Sequence, residues 1–332
     1  MRRWAFAVLG LFAAGCFTQS EVPPPKSPTG EEPSEERKVQ FAEDRAPAVK
    51  VIPFDAKRAM GYLETLCDIG PRICATGGMK KQQDLLKKHF TDLGGRVRFQ
   101  PFDVKQPSRP NKIECQNMIV TWHPERKRRV ILCGHYDTRP LADQEMRRAD
   151  WEKPFVSAND GTSTTAFLME LAHVMKDFPS SVGVDFVIFD AEEYIFDKDR
   201  GDKYFLGSEH FAKDYKENRP GHEYVAAVLF DLFAGKGAKL KPDGTSLFYA
   251  GGVVEEIWAV AAALKAKSFT NQRGQDVLDD HLALNLVGIP AIDIIDFDYE
   301  HWHKLSDTPS QCSGEQMAEV AKVITTWLQG VK

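Results

Sequence analysis

Four short apolar runs constrain this chain more than anything else in it: residues 129–133 (RVILC), 184–189 (VDFVIF), 225–230 (VAAVLF) and 291–295 (AIDII). Runs this short, with so little polar alternation, suit strands buried on both faces, as in a sheet covered by helices on either side. Segments of helical period precede, follow and in two places separate them. Residues 55–67 place Ala59, Leu63 and Leu66 on one side, and residues 80–93 do the same with Leu85, Leu86, Phe90 and Leu93 before stopping at Gly94-Gly95. Residues 162–175, 253–266 and 314–329 read as further helices, and 97–104 and 117–122 as further strands. The alternation predicts a single α/β domain over residues 51–332, with a mostly parallel central sheet flanked by helices on both faces.

The chain ahead of that domain has a different character. Arg2 and Arg3 precede an apolar run from Trp4 to Ala14, which has the length of a signal h-region and is too short to span a bilayer. It ends in Ala13-Ala14-Gly15-Cys16, which resembles a bacterial lipoprotein cleavage site with Ala13 where the usual pattern has Leu. Residues 1–15 are therefore expected to be a signal peptide, Cys16 a lipidated first residue and membrane attachment point, and the protein exported to the periplasm or cell envelope. An uncleaved anchor or a buried apolar strand is the alternative. Residues 16–50, with Pro23-Pro24-Pro25 and Glu31-Glu32-Pro33, lack apolar periodicity and are expected to form a disordered tether.

The 332 residues are 42% apolar and 27% charged, with a net charge of -5 and no basic stripe interleaved with aromatics, so nucleic acid is excluded as a partner. A monomer is expected. Of the 6 cysteines, Cys16 is set aside as the expected lipidated residue and an odd number remains, so no complete disulfide framework is implied. Cys67 and Cys74 are close enough in sequence to bridge in an oxidising compartment.

The chemistry-bearing residues follow the apolar runs. His135 and Asp137 come after RVILC, Glu192 and Glu193 after VDFVIF, Asp231 after VAAVLF and His303 after AIDII, while Asp160 opens the helix that begins near 162. Open α/β sheets build sites beyond the carboxyl ends of their strands, so these residues are expected to converge on one rim. Each has a plain structural reading by itself: Asp160 as a helix N-cap, Glu192-Glu193 as a solvated loop, His303 as a packed histidine, Asp231 as a turn former. Their joint placement behind successive strands argues for a metal site. Asp160, Glu193 and His303 supply a carboxylate and imidazole set suited to catalytic zinc, and the adjacent Glu192 is placed to act as a base beside the ion.

The segments Cys133-Gly134-His135-Tyr136-Asp137, Asn159-Asp160-Gly161, Asp190-Ala191-Glu192-Glu193, Asp279-Asp280-His281 and Trp302-His303 resemble the M28 metallopeptidase superfamily over about residues 55–330. Within it the chain most resembles the glutaminyl-peptide cyclotransferases. That resemblance implies a zinc-peptidase-like α/β sandwich, zinc on Asp160, Glu193 and His303, and proton shuttling by Glu192. It also implies support from Asp231 and Asp280, and a substrate wall at Trp302. Animal cyclases carry a further tryptophan after the Glu-Glu pair. This chain has Tyr194-Ile195-Phe196 there instead, so Phe196 or Tyr204 is expected to take its place. The substrates implied are peptide or protein N-termini beginning with glutamine.

Two other readings remain. A di-zinc aminopeptidase of the same superfamily would add a second ion on His135 and Asp231, bridged by Asp160. A non-catalytic binding member of the fold would need neither base nor open coordination position.

Overall fold

The computed structural model describes residues 39, 50–218 and 220–332. The expected signal segment, Cys16 and the tether lie outside these residues except at two points. The Val39 N–H donates to the Asn271 carbonyl at 2.8 Å, and the Lys50 N–H donates to the Gln329 side chain at 3.1 Å.

Six strands form one sheet: β1 (Arg96–Val104), β2 (Ile113–Trp122), β3 (Arg128–His135), β4 (Gly183–Phe189), β5 (Glu223–Asp231) and β6 (Ala291–Ile295). Their order is β1-β2-β4-β3-β5-β6. The strands read from apolar runs, β4-β3-β5-β6, pair in parallel. β1 and β2 add an antiparallel edge. All seven residues of β4 and all five of β6 are buried, as their composition requires.

Residues of alternate parity in each central strand feed two separate cores. Val130, Leu132, Val184, Phe186, Ile188, Val228 and Phe230 pack against α1 (Ala56–Cys67), α2 (Gly77–Asp92), α3 (Ser163–Met175), α5 (Gly244–Ala263) and α7 (Gly314–Gly330). Ile131, Cys133, Val187, Phe189, Ala227 and Leu229 face the other way, against Phe211 and Ala212 of α4 (Leu206–Asn218) and Ala283 and Leu284 of α6 (Asp280–Leu286). The helices of this second face are the two that periodicity does not reveal. They are short and bury only a few side chains each, so their sequences read as polar loop. The start of α5 is also longer than the apolar pattern indicates, reaching back to an Asp243 cap whose carboxylate accepts the Ser246 N–H at 3.0 Å.

One buried charge inside β4 is matched. Asp185 receives Arg129 Nε and Nη2 at 2.9 Å each, and the Tyr224 hydroxyl at 2.7 Å. In the structure Cys67, Cys74 and Cys115 are all free buried thiols, and the Cys67–Cys74 bridge admitted by the sequence is set aside because the two lie in different clusters. Cys67 ends α1 and packs in the larger core, while Cys74 belongs to a different cluster around Phe102 and Tyr194.

Candidate active site

Parallel pairing aligns the carboxyl ends of the strands. His135 at the end of β3 lies in register with Phe189 of β4, and Asp231 of β5 with Ile295 of β6. The chain therefore leaves β3, β4, β5 and β6 on the same rim, and the polar residues that follow them meet there. The turns that aim them are strained: Ser157, Ala191, Leu232 and His303 all have left-handed backbone, with φ of 48°, 58°, 48° and 53°. Non-glycine residues hold this conformation only where surrounding structure enforces it, and such strain concentrates at functional sites.

His135, Asp160 and Glu193 each present a ligand atom within 4.8 Å of the others. Asp160 stands between two imidazoles. Its Oδ1 is 3.0 Å from His135 Nε2 and its Oδ2 is 3.6 Å from His303 Nε2. His303 Nε2 also contacts Glu193 Oε1 directly. Sequence reasoning grouped His303 with Asp160 and Glu193 and kept His135 for a second ion, whereas in space all four groups share one pocket. Gly161 makes this approach feasible: its φ is +72°, and a Cβ there would come within 2.6 Å of the His135 ring.

The buried Asp160 Oδ2 and Glu193 Oε2 have no hydrogen-bond partner. Orphaned carboxylate oxygens facing a buried imidazole nitrogen are costly unless something positive joins them. Two carboxylates and a histidine are a fitting donor set for zinc. The electrostatics agree. Burial, followed by the charge of Glu193, raises Asp160 to about 7. Burial would also raise Glu193, but the nearby His303 overrides it and holds Glu193 at about 2. His303, which burial alone would lower, is raised to about 9 chiefly by Glu193.

Glu192 lies on the Nδ1 side of the His135 ring, whereas Asp160 meets that ring at Nε2. Its Oε2 is 3.9 Å from His135 Nδ1. Burial first, then the charge of Glu193, pushes its carboxyl well above the ordinary glutamate range, with Asp279 and Asp280 adding to the effect. Asp280, expected from sequence, is fully buried with neither carboxylate oxygen hydrogen-bonded, and its buried neighbour Asp279 is pushed well above the ordinary aspartate range by burial first and then by the charge of Asp231. Asp279 is thus a site residue that sequence reasoning passed over, although it stands in the same triplet. Asp231 Oδ1 lies 3.5 Å from His135 Nε2.

Two further aspartates hold the ligand loops by their backbones. Asp137 accepts the Glu192 N–H on Oδ1 and the Glu193 N–H on Oδ2, each at 3.1 Å. Asp307 accepts the Asn159 N–H at 2.9 Å, the Asp160 N–H at 3.2 Å and the Tyr299 hydroxyl at 2.7 Å.

The aromatic candidates separate. Trp302 stacks on His303 with ring centroids 4.0 Å apart and joins Leu232, Val277, Ile295 and Tyr299 in an apolar patch beside the centre. Tyr204 lies 5.3 Å from the Arg139 guanidinium and feels the charges of Glu193 and Glu192. Phe196 packs elsewhere, under Arg109 at 4.1 Å and against Tyr194. The arrangement as a whole offers a cation site, a buried carboxyl beside it, a chain of further acids and an apolar wall.

Residues 117–328 match the model of peptidase family M28. The chain is 53% identical to the glutaminyl cyclase of Fimbriiglobus ruber, whose crystal structure superposes with a TM-score of 0.85 over 88% of this chain and 100% of that one. A leucine aminopeptidase precursor from Bacteroides thetaiotaomicron is 27% identical, with a TM-score of 0.80 over 86% of this chain and 100% of that one. The glutaminyl-peptide cyclotransferase of Drosophila melanogaster is 25% identical over 167 residues, which is 49% of this chain and 44% of the length of that protein.

Proposed function

This chain belongs to peptidase family M28, and we propose that within it the chain is a glutaminyl-peptide cyclotransferase, converting N-terminal glutamine of peptides and proteins to pyroglutamate. The observation that carries the reading is the setting of Glu192. It is a buried carboxyl raised in pKa, placed beside the ligand group and continuous with the acids Asp279, Asp280 and Asp231. A group so placed can both accept and return a proton, which cyclisation requires of one residue. The likeness to the Fimbriiglobus ruber glutaminyl cyclase supports the same choice.

In this reading Asp160, Glu193 and His303 would hold one zinc ion, which would supply Lewis-acid polarisation of the side-chain carbonyl of the substrate glutamine. Trp302 and Tyr204 pack the glutamine side chain so that it folds back on its own α-amine, turning two groups of one molecule into near neighbours. The Glu192 carboxylate takes a proton from that amine as the amine nitrogen bonds to the carboxamide carbon of the side chain (Cδ). Glu192 then returns the proton to the amide nitrogen, which leaves as ammonia. Asp231, with Asp279 and Asp280 behind it, accepts hydrogen bonds from the amine and from the departing nitrogen. No attacking water is needed, so the apolar patch around Trp302 can close over the substrate.

A second reading has a specific observation behind it. Asp160 lies between His135 and His303, with Asp231 3.5 Å from His135, which is the disposition of a carboxylate bridging two ions in a metallo-aminopeptidase. Incubation with one peptide beginning in Gln and one beginning in Leu separates the two. Release of ammonia with a blocked N-terminus supports cyclisation, and release of free leucine assigns the chain to hydrolysis. We further propose that the protein is exported, anchored through a lipidated Cys16 and monomeric; the mass of the mature N-terminus and the hydrodynamic size test these points.

A further inference from the structure

Outside the centre, one polar grouping among the described residues is a pair of thiols. Cys74, in the turn between α1 and α2, and Cys115, in β2, are both buried. Their sulfurs and an oxygen of Asp190 all lie within 4.8 Å of one another. Cys115 stands opposite Phe102 in the β1–β2 register. Phe102, Val104, Ala191 and Tyr194 close an apolar cluster around the two sulfurs.

A metal is a poor occupant for this spot. Asp190 already accepts the Gln116 N–H at 2.8 Å on one oxygen and the Ala191 N–H at 3.0 Å on the other. A second acid, Asp137, is 3.6 Å from the Cys74 sulfur and holds two backbone N–H groups. Metal ligation would require two thiolates among carboxylates in an apolar pocket, where burial pushes Cys74 well above its ordinary pKa. A disulfide asks for no charge. It replaces two weakly satisfied polar hydrogens with an apolar bond.

We propose that Cys74 and Cys115 form a disulfide that ties the turn ahead of α2 to strand β2. The co-reactant is a disulfide oxidant such as oxidised glutathione. One cysteine, as thiolate, attacks the oxidant's sulfur, giving a mixed disulfide and one released thiol. The second cysteine displaces the remaining half, forming the Cys74–Cys115 bond. Two electrons pass to the oxidant, and the two cysteine protons end on the released thiols. Because both sulfurs are buried in the folded chain, the exchange takes place while the turn is open, during folding. Asp137 loses the Cys74 thiol as a donor but keeps its two backbone partners, so the ligand loop stays in place. The bond closes the segment containing α2 and β1, and reducing it is expected to lower Tm by several degrees.

The test refolds full-length protein with oxidised glutathione, alkylates remaining thiols under denaturing conditions and maps peptides without reductant. The expected result is a linked pair carrying Cys74 and Cys115, two hydrogens lighter than its separate halves and split by reductant. The oxidised form should also have the higher Tm, and Cys115→Ala should lose that redox dependence. Finding Cys74 and Cys115 both alkylated, or either one joined to another cysteine, overturns the proposal. Zinc bound to wild type in excess of that held by Cys115→Ala would assign the pair to a metal and overturn it equally. If Cys115→Ala does not fold, the wild-type peptide map decides alone.

Discussion

His303 turns its Nδ1 toward Asp143 Oδ1, 3.0 Å away and 160 residues distant in sequence. With Nδ1 donating there, Nε2 is left facing Glu193 and Asp160 as an acceptor for a cation. Burial alone would raise the pKa of Asp143, but His303 and Arg139 outweigh it and hold the carboxyl below its usual range, so Asp143 remains an anion. Carboxylates behind metal-binding histidines fix tautomer and ring orientation.

Asp143→Ala is therefore expected to weaken zinc affinity by ~10–100-fold while leaving the fold intact. Competition with a chelator of known affinity, together with a melting curve of the metal-free protein, measures both. Unchanged zinc affinity would remove Asp143 from the account.

The pH dependence of turnover should report Glu192. The residue accepts a proton only as a carboxylate, and burial raises its pKa. Activity should accordingly fall as pH drops through that raised pKa, giving an acid limb above the range of an ordinary glutamate. Residual activity of Glu192→Gln should lack the limb. A limb that persists in Glu192→Gln belongs to another group.

Asp137→Ala removes the acceptor for two adjacent buried N–H groups, those of Glu192 and Glu193. Each orphaned donor costs ~1–3 kcal/mol, so Tm should fall and kcat should fall with it as both glutamates lose their aim. Asp137→Asn keeps one acceptor and should lie between wild type and Asp137→Ala in both measurements. Wild-type kcat in Asp137→Ala would show that the loop is held by other contacts.

Far from the site, Asp185→Ala leaves Arg129 buried without its carboxylate. Removing one partner of such a pair typically costs ~3–5 kcal/mol. Denaturant unfolding should register that loss, while the kcat of the folded fraction stays at the wild-type value. A cost near zero would mean that the carbonyls of Trp122, His123 and Val184 suffice for the guanidinium.

What the sequence made legible follows the physics of the sheet. The strands β3 to β6 are visible because burial on both faces strips them of polar residues, and parallel pairing turns "after an apolar run" into "on the same rim". That is why Asp160, Glu193, His303, His135 and Asp231 group together from the sequence alone. Asp137, Asp143 and Asp307 were not assigned these tasks, because they bind backbone N–H groups or a side chain 55 to 160 residues away, and no local pattern marks such partners. The choice between Asp279 and Asp280 turns on cap geometry: Asp279 caps α6 and accepts the Asp280 N–H at 2.5 Å, while Asp280 is the first residue of the helix. Helices α4 and α6 escaped for a different reason. Each covers a sheet face that is already apolar and contributes little periodic signal of its own.

The most direct test of the account compares zinc content and turnover of Glu192→Gln and Glu193→Gln on a Gln-initiated peptide. The two residues are neighbours, yet Glu193 contacts His303 while Glu192 faces His135 and the acids beyond it. Glu192→Gln keeps shape but cannot accept a proton, so it should retain its zinc and lose ~10²–10⁴-fold in kcat. Glu193→Gln should lose zinc. If Glu192→Gln turns over at the wild-type rate, or loses its metal as Glu193→Gln does, the division of labour between the two glutamates is contradicted.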